Sequence, residues 1–140
     1  PNKRNFPGLL NGLGGHVERG ESIVDSARRE ALEECGLFLS ELALCGLFTA
    51  DVEEDTGIQI FIYKAILDAD PGLLTPSEEG TLGWYPIEQV PDLAVVPDIP
   101  AYFELIKAWQ PGFPIFYVRS SMDDEKRQIL HVDPNGSGKI

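Results

Sequence analysis

The chain is poor in sulfur, in histidine and in positive charge. Its two cysteines, Cys35 and Cys45, have neither metal-ligand spacing nor a CxxC redox arrangement. That speaks against a cysteine-held zinc or a dithiol redox centre, and for buried free thiols in a reducing cytoplasm. His16 and His131 have no partner at metal-ligand spacing and read as structural. No apolar run is long enough to span a bilayer, and there is no signal-peptide pattern. Lys and Arg number 11 against 23 Asp and Glu, a formal net charge of −12. A nucleic-acid polymer or an anionic membrane would be repelled, so neither is the expected partner. A small phosphate substrate would be repelled too unless cations came with it, which points to a metal-bound nucleotide.

At 140 residues the chain has the length of one domain, with room for one core of a sheet and two or three helices. Residues 1–133 are expected to form that domain. The tail 134–140, PNGSGKI, is Gly-rich and expected to be flexible. Its Gly-Lys pair lacks the glycine spacing and the following Ser or Thr of a phosphate loop.

The most informative stretch is residues 14–37, GGHVERGESIVDSARREALEECGL. Ser22 is a good N-cap, because its hydroxyl can accept from a free N–H of the first turn, and Asp25 adds a weak capping box. Gly36 suits the left-handed residue that ends a helix. Between them Ile23, Ala27, Ala31 and Cys35 recur every four residues as a small apolar stripe. At 100° per residue, Glu30, Glu33 and Glu34 project into an arc of roughly 100° beside that stripe. Carboxylates so placed repel one another, and Glu33 and Glu34 also sit in the last turn, where the helix dipole disfavours negative charge. A hard divalent cation, Mg²⁺ or Mn²⁺, would remove the conflict. The alternative is a solvated acidic face on a surface helix.

Gly15, five residues, Glu21, seven residues, then Arg29-Glu30-Ala31-Leu32-Glu33-Glu34-Cys35-Gly36-Leu37 resembles the Nudix box with every fixed position filled. The resemblance implies a Nudix hydrolase, in which Glu30, Glu33 and Glu34 with the Gly15 carbonyl hold the cations. Nudix enzymes often use one further glutamate from a loop away from the box as ligand or base, and Glu79 matches that position best. The resemblance does not say which of Glu33, Glu34 and Glu79 is the base. Arg29 and Glu21 read as a charge pair that fixes the loop against the helix, and Gly36 as the helix stop. Nudix domains usually have a strand before this point, so a native N-terminal strand is expected ahead of Pro1.

Around the box, residues 9–17 read as a strand bent by glycines. Residues 41–51 and 58–67 read as a strand pair joined by the acidic turn VEEDTG, whose Glu53, Glu54 and Asp55 are expected to be solvated loop charge. Residues 71–80 form a loop carrying Glu78 and Glu79, before a strand at 81–85. A short helical turn follows at 87–93. Pro97 to Pro100 break the chain before a helix at 101–109, which places Tyr102, Leu105, Ile106 and Trp109 on one side. A final strand pair spans 113–119 and 128–132. The fold implied is the Nudix α/β/α sandwich, a mixed curved sheet between the box helix and the helix at 101–109.

The segments NGLGGHVE and GTLGWYPIEQVPDL, with VPD and an aromatic-bearing helix behind them, are similar to the MutT-like oxidised-purine nucleoside triphosphate diphosphatases. In that branch, residues at the positions of Asn11 and Asp98 hydrogen-bond the purine edge. On local grounds alone Asn11 could instead be a turn residue and Asp98 a helix N-cap. Lys3 and Arg4 could contact phosphate or merely solubilise the loop. The animal enzymes carry a second Asp where this chain has Ile99 and an indole where it has Val96, which bears on recognition of the oxidised base. The marks of other branches are absent, such as the proline that ADP-ribose pyrophosphatases place soon after the box. The implied reaction is hydrolysis of a nucleoside triphosphate, 8-oxo-dGTP foremost, to the monophosphate and pyrophosphate. The competing readings are another nucleoside diphosphate derivative as substrate, or a Nudix-fold binding domain without turnover.

Overall fold

A computed structural model describes residues 8–53, 56–67, 74, 82–123 and 128–133. The chain groups into two compact units. One is built from residues 1–40 and 67–100, the other from 41–66 and 101–140.

The first unit contains the box helix α1, Ile23–Cys35. Its ends are where local chemistry puts them. Ser22 Oγ accepts from the Asp25 N–H at 3.2 Å and donates to the Asp25 carboxylate at 2.7 Å. Gly36 takes φ 72° and its N–H bonds the Leu32 carbonyl at 2.9 Å, while the Leu37 N–H returns to Ala31 at 3.3 Å. Ser26, Ala31 and Cys35 are its buried positions. Residues 9–17 are not a strand. Only Leu10 pairs, in a parallel bridge to Val95, its N–H on the Ala94 carbonyl at 2.7 Å and its own carbonyl taking the Val96 N–H at 2.9 Å. Glycines at 12, 14 and 15 offer no side chains to hold a longer ladder. Residues 82–86 are likewise not in a strand. The short turn is a 3₁₀ helix at Val90–Asp92.

In the second unit β1, Ala43–Glu53, pairs antiparallel with β2, Thr56–Lys64, and parallel with β3, Phe116–Met122, which pairs antiparallel with β4, Gln128–Asp133. The sheet is therefore mixed, in the order β2-β1-β3-β4. β3 begins three residues later than the sequence suggests, after the turn at Gly112 and after Pro114, which has no N–H to give a ladder. Helix α2, Ile99–Ala108, starts earlier than expected. Pro100 lies in its first turn, where a missing N–H costs nothing, and so does not break it.

Tyr102, Leu105 and Ile106 of α2, with Trp109 just beyond it, pack with Cys45, Phe48, Ala50, Phe116 and Val118 of the sheet. Phe48 and Tyr102 meet as tilted rings 5.5 Å apart. The Phe116 ring fills the space a Cβ would need at Gly46, which ties that glycine to the core. Lys64, at the end of β2, donates to the carbonyls of Ile106, Lys107 and Trp109 at 2.9, 3.2 and 2.8 Å, and so caps the C-terminus of α2. Cys45 sits at a register shift in β1 and donates to the Ile62 carbonyl at 3.3 Å. Burial pushes its thiol up to about 11, so it stays protonated and inert.

Candidate active site

The site residues of the first unit are organised by one guanidinium. Arg29 Nη2 and Nε donate to the two oxygens of Glu21 at 2.8 and 3.2 Å, a bidentate pair. Nη2 also donates to the His16 carbonyl at 3.1 Å, which takes a second bond from the buried Ser26 hydroxyl at 3.3 Å. Glu21 in turn accepts from the Glu18 N–H at 2.7 Å. The loop between Gly14 and Ser22 is thereby tied to α1. The Arg29 guanidinium first, and the Glu18 N–H second, hold the Glu21 carboxyl down to about 2. Glu21 and Glu30 raise Arg29 still further above its ordinary range.

The third nitrogen of Arg29 faces the acids of the box. Nη1 lies between Glu30 Oε1 at 2.8 Å and Glu33 Oε2 at 3.1 Å. Glu34 reaches the loop instead and accepts from the Gly14 N–H at 3.2 Å. The Glu30 carboxylate lies against Gly15, so close that a methyl group there would run into its carboxyl atoms. Gly15 has no positive φ, so it must be glycine for reasons of space alone.

The structure thus brings Glu21 and Gly15 of the loop to the side of α1 that carries Arg29, Glu30, Glu33 and Glu34, with Gly36 as the helix stop. Asn11 and Asp98 come to neighbouring segments of the same unit. Asn11 follows Leu10 directly, and Asp98 stands just beyond Val95 at the foot of α2. Asn11 uses Oδ1 within its own turn, accepting from the Gly12 N–H at 2.9 Å. Lys3, Arg4, Glu78 and Glu79 lie outside the described residues, as do Glu54, Asp55 and the tail 134–140. One contributor went unnoticed in the sequence. Arg28 donates to the carbonyls of Leu39 and Ser40 at 3.2 Å each, holding the chain as it leaves α1. Nothing in its local spacing signals this, whereas the i, i+4 interval from Arg29 to Glu33 does announce their ion pair.

Carboxylate oxygens are the donors a hard divalent cation takes, and two of these carboxylates converge on one positive nitrogen. Among the described residues, no three His, Cys, Asp or Glu side chains converge as a ligand cluster. In the second unit, the sheet face of Leu47, Thr49, Tyr117, Arg119, His131 and Asp133 forms a shallow hollow that contains none of these residues. Among the described residues no helix is long and apolar enough to cross a membrane.

A family model described as the NUDIX domain matches residues 2–106. The chain belongs to the Nudix hydrolase family. This Nudix chain is 37% identical over 106 residues to the mouse protein named oxidized purine nucleoside triphosphate hydrolase, covering 74% of this chain and 67% of that one. The zebrafish protein of the same name is 36% identical over 91 residues, 64% of this chain and 57% of its own. An uncharacterized Nudix hydrolase of Bacillus subtilis is 32% identical over 87 residues, 60% of this chain and 55% of that protein. The chain therefore spans between 55% and 67% of the length of these relatives. In fold it is similar to the crystal structure of a MutT protein from Bacillus halodurans. The TM-score is 0.75 at 23% identity, covering 91% of this chain and 84% of that one. The mixed α/β fold with an open mixed sheet is thus that of a MutT-type Nudix protein, and Nudix hydrolases generally use divalent metal ions.

Proposed function

We propose that this Nudix hydrolase cleaves a purine nucleoside triphosphate, 8-oxo-dGTP foremost, to the monophosphate and pyrophosphate. The observation that carries the reading is the gathering of the box acids on the Gly14-Gly15 loop, Glu30 against Gly15 and Glu34 on the Gly14 N–H. Mg²⁺ or Mn²⁺ held by Glu30, Glu33, Glu34, the Gly15 carbonyl and Glu79 would neutralise charge on the phosphoryl oxygens and lower the pKa of an attacking water. One of Glu33, Glu34 and Glu79 accepts the proton of that water. Arg29 and Glu21 keep the loop at a fixed distance from α1, so the phosphate chain meets a preset surface. Asn11 and Asp98, on the two segments joined at the Leu10–Val95 bridge, read the purine edge, and Lys3 and Arg4 contact phosphate. The names of the mouse and zebrafish relatives support the choice of an oxidised purine. The work is done in the cytoplasm, where the buried free thiols Cys35 and Cys45 stay reduced.

The test is pyrophosphate release, with Mg²⁺ and then with EDTA, across 8-oxo-dGTP, the normal dNTPs, ADP-ribose and a nucleotide sugar, with nucleotide products assayed alongside. Selective, metal-dependent turnover of 8-oxo-dGTP is the expected result. Consumption of ADP-ribose or the sugar nucleotide would move the substrate to another diphosphate. Absence of any turnover would leave a binding domain.

A further inference from the structure

Arg29 is shared among three carboxylates, and they hold it unequally. Glu21 takes two of its nitrogens, also accepts the Glu18 N–H, and has a side chain only 17% exposed. Glu30, 15% exposed, is lodged against Gly15. Glu33 takes a single bond from Nη1 and is 60% exposed. An exposed ion pair with one bond is the weakest kind. Its order along the helix, Arg before Glu at i, i+4, is also the less favourable one, and Glu33 stands at the negative end of the helix dipole. Glu33 is nevertheless among the acids proposed to face the cation. A metal ion approaching Glu33 through Oε2 would compete with Nη1 for that oxygen.

We propose that the Arg29–Glu33 link is a latch of the cation-free protein. Nη1 neutralises the outermost acid of the box until a divalent cation arrives; Glu33 then leaves Arg29 for the cation, while the two bonds from Arg29 to Glu21 persist. The inference rests on the proposed cation site, and it adds a division of labour within one side chain. Nε and Nη2 are a permanent anchor of the loop, and Nη1 is a stand-in for the ion. The latch spares the cation-free helix the mutual repulsion of Glu30 and Glu33.

The experiment is a Mg²⁺ titration of protein labelled with ¹⁵N-arginine, following the Arg29 Nε and Nη signals, assigned through Arg29→Lys. Mn²⁺ binding is measured in parallel by electron paramagnetic resonance. Saturation should speed exchange of the Nη1 hydrogens by about two- to fivefold, the range for loss of one exposed ion pair. The Nε signal should stay in place. Cation-free Glu33→Gln should show the same Nη1 behaviour as loaded wild type, and should that variant not fold, the wild-type titration alone decides. If Mn²⁺ binds but the Nη1 signals do not move, or Nε moves with them, the latch is overturned and the cation site stands. If no Mn²⁺ binds, both fall.

Discussion

Replacing Gly15 by alanine tests the geometry of the site with a single methyl group. Its backbone has no positive φ, so alanine adds no conformational strain, and only space is at issue. Even the more distant Glu30 oxygen would lie 2.5 Å from the new Cβ, against 3.4 Å or more for ordinary contact. The carboxylate must therefore retreat by about 1 Å, a displacement that can cost roughly 100-fold in rate when the displaced group positions the reaction. The stability loss should be small, about 1 kcal/mol, because Glu30 can swing outward rather than be compressed in a core. Gly12→Ala is the control, since nothing lies within 4 Å of a Cβ there. The assay is metal-dependent pyrophosphate release from 8-oxo-dGTP beside a thermal melt. A folded Gly15→Ala protein with a rate within about twofold of wild type would refute a working role for the Glu30–Gly15 contact.

Glu34→Gln keeps shape and removes charge. Turnover should fall by roughly 100-fold or more with the melting temperature little changed, and a wild-type rate would remove Glu34 from the site. Glu21 is held at about 2 in the folded chain, below its ordinary 4.5. Its ionised form therefore stabilises the fold fully above pH 4.5, and that contribution is lost as pH falls toward 2. The melting temperatures of wild type and Glu21→Gln should be apart at neutral pH and converge through that window, whereas parallel curves would contradict the pairing with Arg29. Lys64→Met keeps the stem but leaves three carbonyls at the end of α2 without their donor. A loss of about 2 kcal/mol, seen as a melting temperature roughly 4–8 °C lower, is the expected outcome. A shift below about 1 °C would mean that water replaces the ammonium.

What the sequence determined by itself is what depends on neighbours a few residues away. Ser22, Asp25 and Gly36 carry the ends of α1 because caps are made within one turn, and the helical stripe Tyr102, Leu105, Ile106 and Trp109 reached the core as its spacing requires. The box acids, too, come to one face of a helix by periodicity alone, and their family was legible in the same residues. Tertiary structure decided the partners that are far apart in the chain. No local pattern says that Leu10 pairs with Val95, that β1 lies parallel to β3, or that Lys64 caps a helix more than forty residues on. Residues 9–17 and 81–85 look like strands by composition, yet 9–17 and the described 82–85 are not, because a ladder also needs a partner edge, and the glycines of the first segment let its backbone meet Glu30 and Glu34 instead. The three-way division of Arg29 belongs to both levels. Its reach to Glu33 is helical spacing, but its hold on Glu21 and the His16 carbonyl exists only once the loop has folded back on the helix.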